Sequence, residues 1–305
     1  MAWIKKGLIF EVNKQYDWLQ SHAQLPVADL ISENTVRVYF AGRNIQSFSS
    51  IGYVDLDIRN KFKIINVSQQ PVLSPGKIGH FDEHGVFPAS IINFNNKKYL
   101  YFIGWNQGHK QPLFYASIGL AVSEDNGQTF KKISSAPIMS RSEFDPCLVT
   151  SPNVFIEDDV WKMTYVSGVK WELENEQLKS FYHIKYAQSD NGIDWKRDGT
   201  ICIDFRDGKE TNIARSSVIK ENGVYKMWFC YVYGTTKYRM GYAESDDCKT
   251  WRRKDTEAGI TISDNDFDSE MTCYPNIIVI NGKKHMFYNG NNYGYDGIGL
   301  AVANV

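Results

Sequence analysis

The chain has 305 residues, 43% of them hydrophobic and 23% charged, with a formal net charge of −1. That length holds one large β domain or two ordinary ones, and without a basic balance there is no electrostatic reason to expect nucleic acid. The five cysteines, Cys147, Cys202, Cys230, Cys248 and Cys273, include no CxxC pair, which argues against a disulfide framework or a zinc knuckle.

In chain order, the N-terminal stretch lacks the continuous apolar core of a secretion signal, and no apolar run reaches membrane-spanning length. A soluble cytoplasmic protein is expected. After "GLIFEV" (7–12), one pattern recurs along the whole chain: an apolar strand, a short polar turn, an aromatic strand, and then a strand of small residues. The first two strands are "LPVADLISENTVRVYFAGR" (25–43), "FPASIINFNNKKYLYFIGW" (87–105), "SPNVFIEDDVWKMTYVSG" (151–168), "RSSVIKENGVYKMWFCYVYG" (215–234) and "YPNIIVINGKKHMFYNG" (274–290). Their Asn-, Asp- and Gly-rich turns are hairpin chemistry. The third strand follows as "SIGYVDLD" (50–57), "SIGLAVSEDNG" (117–127), "HIKYAQSDNG" (183–192), "RMGYAESDDC" (239–248) and "GIGLAVANV" (297–305). Only Trp171–Lys179, "WELENEQLK", offers a helical turn or two within a loop.

Five copies of about 60 residues, each with three clear strands and a fourth after the Ser-Asp turn, predict an all-β fold. The expected architecture is a five-bladed β-propeller of four-stranded antiparallel blades, residues 1–305 forming one domain. The last copy ends after its third strand, so "GLIFEV" is expected to supply the fourth and close the ring.

Antiparallel strands alternate their connections between the two faces of such a disc. The turns "SEDNGQTF" (123–130), "SDNGIDW" (189–195) and "SDDCKTW" (245–251) join third to fourth strands. They therefore lie opposite the entrances of the innermost strands and read as scaffold. Cys248 stands where the other copies have glycine, so that turn is expected to be looser.

On the entrance face, acids recur before the innermost strands: Asp82 and Glu83 beside His84, Glu143 and Asp145, Asp207 and Glu210, and Asp266, Asp268 and Glu270. Loops after the second strands reach the same face with Arg43, Trp105, Trp171, Tyr233, Asn289, Asn291 and Tyr293. Aromatic faces, amides and separated acids suit carbohydrate. Asp82, Asp145, Glu210 and Glu270 are the candidate catalytic acids. Arg43, Glu83, His84, Trp105, Trp171, His183, Arg215, Tyr274, Asn289 and Asn291 are the candidate substrate contacts. The plainer reading of each acid is a solvated turn former. No metal-ligating residues and no cofactor are assigned, the partner is a carbohydrate or sugar nucleotide, and a central calcium and the oligomeric state are left open.

The Ser-Asp turns resemble the Asp-box of sialidases and other propellers, where it is structural. The strand plan and loops resemble the five-bladed propeller glycosidases of families 43 and 32 and the mannoside phosphorylases of family 130. "FDEHGVFP", "YHIKYAQSDNGIDW", "IARSSV" and "YNGNNYGYDGIGLAV" resemble uncharacterised propeller proteins of bacterial surface-polysaccharide clusters. The resemblance implies a carbohydrate-active enzyme, most simply glycoside hydrolase-like, with glycosyl transfer, phosphorolysis or sugar binding without catalysis as alternatives. It also implies two aspartates and a glutamate at the starts of the innermost strands, yet those positions hold Leu25, Phe87, Ser151, Arg215 and Tyr274. No catalytic set transfers residue by residue.

Overall fold

Alternating apolar residues and left-handed turn residues fold the repeats into hairpins. The computed structural model describes residues 2–174 and 176–304. The first unit comprises β2 (Ser21–Ser32), β3 (Thr35–Arg43), β4 (Ser49–Asp57) and β5 (Lys63–Val67). The second comprises β6 (Gly85–Phe94), β7 (Lys97–Gln107), β8 (Phe114–Ser123) and β9 (Lys131–Lys132). The third has β10 (Leu148–Glu157), β11 (Val160–Glu174), β12 (Gln177–Ser189) and β13 (Ile201–Ile203). The fourth has β14 (Glu210–Glu221), β15 (Val224–Tyr233), β16 (Arg239–Ser245) and β17 (Arg252–Arg253). The last has β18 (Cys273–Ile280), β19 (Lys283–Asn289) and β20 (Gly297–Asn304), with β1 (Ile4–Glu11) antiparallel to β20 as its fourth strand.

Four of the first hairpins turn on two successive left-handed residues: Asn95-Asn96, Asp158-Asp159, Asn222-Gly223 and Asn281-Gly282. This is the hairpin geometry whose twist matches the flanking strands. Single parallel bridges, Ser49 to Gly85 and Tyr182 to Asn212, join the first unit to the second and the third to the fourth. The first strands neighbour one another in a cycle: β2 lies against β6 and β18, β10 against β6 and β14, and β14 against β18. The apolar core fills the spaces between units. Phe40 of β3, for example, packs in one cluster with Phe287 of β19 and Leu300 of β20.

Two local expectations change. Trp171–Lys179 is not helical: it is the tip of the long β11–β12 hairpin, with Glu172 opposite Lys179 and Leu173 opposite Leu178. Asn175 lies outside the described residues. Cross-strand pairs, opposite charges at Glu172 and Lys179 and apolar side chains at Leu173 and Leu178, outweigh the local helical propensity of the Glu-rich segment. The turn at Cys248 is no looser than its counterparts, because Cys248 adopts φ 65° and its amide donates to Ser245 Oγ at 2.9 Å. The corresponding amides of Gly127 and Gly192 reach their serines at 2.8 and 2.9 Å.

These turns also tie units together. Tyr39 of β3 donates to the Gly127 carbonyl at 3.1 Å, and Tyr101 of β7 to that of Gly192 at 2.7 Å. Their role is scaffold.

Candidate functional site

Each innermost strand must bend where it enters the hub, and each carries a register shift there. In four units the bend is a left-handed non-glycine residue: Leu25 (φ 54°), Ser151 (φ 48°), Arg215 (φ 52°) and Tyr274 (φ 56°). Such a conformation costs about 1–2 kcal/mol in an L-residue. Bulges re-aim side chains, and strain of this kind gathers at functional sites. Leu25, Ser151 and Tyr274 indeed line a cavity of about 790 Å³ at the hub, within the usual range for ligand sites.

The cavity walls are aromatic, with Phe48, Trp105, Phe114, Trp171, Tyr238 and Tyr293 around the opening. Trp171 meets Phe114 edge-on, ring centres 5.7 Å apart, so the long hairpin is braced against the β7–β8 loop. Trp105 donates Nε1–H to Ser49 Oγ at 2.9 Å, which fixes its plane. Tyr182 and Tyr238 share a hydroxyl–hydroxyl hydrogen bond. Burial pushes the Tyr274 phenol well above its ordinary range. Polar groups sit between the rings: Gln24, Gln107, Thr150, Ser151 and Asn212. The lining among the described residues includes Arg43 and His84 but no Asp or Glu.

The candidate contacts divide accordingly. Arg43, His84, Trp105, Trp171 and Tyr274 line the cavity. Arg215 does not: it is fully buried beneath the hub, donating to the carbonyls of Pro26 at 3.1 Å and Pro88 at 3.2 Å. Burial lowers its pKa to about 10, since removing a cation from water disfavours its charged form. Asn289 is buried and structural, donating to Ala23 and Gly297 carbonyls and accepting from the Leu25 amide, each at 2.8 Å. It thereby holds the first bend in place. Asn291 accepts from the amides of Glu270 and Met271 and orders that loop. His183 is buried away from the cavity with Nδ1 2.9 Å from Asp204 Oδ1. Glu83 stands behind His84 rather than in the wall.

The expected convergence of the four acids at one mouth does not occur. Asp82 is buried against Lys132 of β9, and Asp145 against Arg197 at 2.8 Å, with Tyr165 donating to it at 3.1 Å. Glu210 is buried between Arg206 and Arg253 of β17, the latter at 2.8 and 3.0 Å. Asp268 repeats the arrangement with Lys5 of β1 at 2.5 Å and Tyr288 at 2.9 Å. The recurring acid is therefore a clasp: a carboxylate at or before the start of the innermost strand grips a cation in the outermost part of the same unit. A buried carboxylate needs such pairing, which is why the acid repeats in sequence. Glu270 is exposed, paired with Lys237.

Sequence reading missed Gln24, Phe48, Phe114, Ser151, Tyr182, Asn212 and Tyr238. The signal that locates Ser151 is a residue-proline dipeptide near the start of the first strand, repeated as Leu25-Pro26, Phe87-Pro88, Ser151-Pro152 and Tyr274-Pro275.

No protein-family model matches the chain. It is 37% identical over 302 residues to the uncharacterized protein Rv1502 of Mycobacterium tuberculosis strain H37Rv, covering 99% of both chains. A 1,2-beta-oligomannan phosphorylase of Thermoanaerobacter is 24% identical over 192 residues, 62% of this chain and 59% of that one. Among solved structures, a glycoside hydrolase superposes with TM-score 0.75 at 17% identity, over 99% of this chain and 91% of the other. A member of the GH130 family of mannoside phosphorylases and β-1,2-mannoside hydrolases does so with TM-score 0.69 at 14% identity, over 100% and 90%. Families 43 and 32 are represented among the similar structures as well. The fold is that of the propeller glycosidases.

Proposed function

The chain belongs to the family of the uncharacterized mycobacterial protein Rv1502, and from its cavity we propose a carbohydrate-active protein whose hub takes a glycan or sugar nucleotide. We read the fold as one domain, a five-bladed propeller closed by β1. Five four-stranded units, the cycle of first strands and the β1–β20 pairing support that reading.

One observation carries the functional proposal. A cavity of about 790 Å³ is walled by tryptophan, tyrosine and phenylalanine with amides and hydroxyls between them. Flat apolar rings with interleaved hydrogen-bonding groups complement the two kinds of surface that a sugar presents. Hydrolysis by an acid pair needs two carboxyl groups about 5–9.5 Å apart across the bond, and the described lining holds none. The site therefore favours saccharide binding coupled to glycosyl transfer or phosphorolysis over two-carboxylate hydrolysis. A sugar-binding propeller without turnover is the second reading, and the missing acids favour it too. We read its setting as bacterial surface-polysaccharide metabolism, a reading the resemblance of its motifs supports.

The relatives make β-1,2-linked manno-oligosaccharides the first ligands to try, followed by hexose 1-phosphates and nucleotide sugars. Tryptophan fluorescence reads binding, and product chromatography reads turnover. Binding that is lost in Trp105→Ala and Trp171→Ala is expected. Product formation selects the enzyme and binding alone the sugar-binding protein, whereas no binding across the panel overturns the proposal.

A further inference from the structure

Three neighbouring strands bring two nitrogen-bearing side chains to one rim of the cavity. Arg43, the last residue of β3, pairs with Ser49, the first of β4, and Ser49 bridges to Gly85, the first of β6. His84 immediately precedes Gly85, so the two backbones stand two strand spacings apart, about 10 Å. Both side chains line the cavity.

Arg43 is oriented but not neutralised. Its Nε–H donates to Gln24 Oε1 at 2.9 Å, and among the described residues no carboxylate lies within ion-pair distance of its guanidinium. Burial lowers its pKa, so an arriving anion relieves a cation already stripped of water.

His84 is held between two rings, edge-on to Phe48 with centres 5.1 Å apart and tilted against Trp105 at 5.7 Å. Its Nδ1 is buried without a hydrogen-bond partner and lies 3.4 Å from Glu83 Oε1. Glu83 is in turn fixed by the Gly79 amide at 2.5 Å and Asn106 Nδ2 at 3.0 Å. The Gly79 hydrogen bond, more than any other contact, holds its carboxyl below the usual range, so it is a carboxylate at neutral pH. A carboxylate behind one imidazole nitrogen orients the ring and presents the other nitrogen forward.

We propose that Arg43 and His84 form an anion subsite in the cavity, receiving the carboxylate of an acidic sugar or the phosphate of a sugar phosphate. Glu83 is the positioning residue of His84. This rests on the carbohydrate reading of the cavity and adds the ligand's charge to it.

Calorimetry with glucuronate, glucose 1-phosphate, inorganic phosphate and neutral glucose tests the subsite. Anionic probes are expected to bind more tightly than glucose. Arg43→Met should weaken them about 10- to 100-fold, from the loss of a charge-assisted contact, and Arg43→Lys should recover part of that loss. His84→Gln should weaken the anionic probes more than glucose, and Glu83→Gln should lower the same ratio of anion to glucose affinity by less. Anionic probes that bind no better than glucose, or that bind Arg43→Met as well as wild type, overturn the subsite. Preference for phosphate or for carboxylate identifies the source of the charge. Manno-oligosaccharide binding without anion binding defeats this inference alone. Inorganic phosphate binding without any saccharide binding defeats the carbohydrate reading instead.

Discussion

Asp145 Oδ2 accepts a hydrogen bond from Arg197 Nη1 at 2.8 Å, joining the loop before β10 to the outer part of the same unit. The carboxylate is fully buried, and Ser142 and Tyr165 donate to it as well. Breaking one partner of a buried pair leaves the other charge uncompensated. Asp145→Asn is therefore expected to destabilise the fold by about 3 kcal/mol, read as a shifted urea midpoint with unchanged slope. Saccharide affinity of the folded fraction should stay within a factor of two or so, because Asp145 does not line the cavity. A stable variant that has lost binding would return Asp145 to the site.

Trp105 and Trp171 face the cavity from different units, one fixed by Ser49 and one by Phe114. Each alanine substitution is expected to weaken ligand binding by at least about 10-fold, the scale of an aromatic hot spot. Thermal stability should move less than in Asp145→Asn, since both indoles are partly exposed at the rim. Titration by calorimetry alongside thermal melts separates the two effects.

His22 gives the fold an acid-sensitive element. Burial, aided by the neighbouring charge of Arg43, lowers its pKa from 6.5 to about 4. As pH falls below 6.5 the unfolded chain takes up a proton that the folded chain refuses, so stability declines until about pH 4. Burial also lowers His183, against the opposing pull of Asp204, and contributes in the same direction. Unfolding midpoints measured from pH 7.5 to 4.5 should fall, and His22→Asn should flatten part of that slope. An unchanged slope in the variant would remove His22 as a source.

Ser123 Oγ accepts the amide hydrogens of Gly127 and Asp125 and donates to Asp125 Oδ1. Ser123→Ala should cost about 1–2 kcal/mol without changing ligand affinity, because the turn binds β3 through Tyr39 and lies away from the cavity lining. Equilibrium denaturation and a single binding titration check both parts. Loss of affinity in a folded variant would contradict the scaffold role.

Much of this molecule could be read along the chain because its determinants are local. The Asn- and Gly-rich pairs that turn each first hairpin act through their own backbone angles. The strand pattern around Gly119 and Gly299 acts through nearby packing, where an added Cβ would press on Phe102 or Phe267. The recurring acids were legible as a pattern but not as a role. A carboxylate before a strand looks the same whether it faces a ligand or a cation on the outer strand, and the cation is some fifty residues away in Asp82–Lys132 and Asp145–Arg197.

The sequence by itself determined the repeated strand plan, the turn chemistry, and the aromatic and cationic residues available at one face. Hydrogen bonding and hydrophobic period operate between near neighbours, so these were written locally. Only the tertiary structure decided which of those residues share the hub. Left-handed bends at Leu25, Ser151 and Tyr274 turn unremarkable pre-proline residues into the cavity wall, while burial draws Asp82, Asp145 and Glu210 into ion pairs. The reason is desolvation: a buried carboxylate is driven to the nearest cation, and which cation is nearest is settled by packing between distant strands.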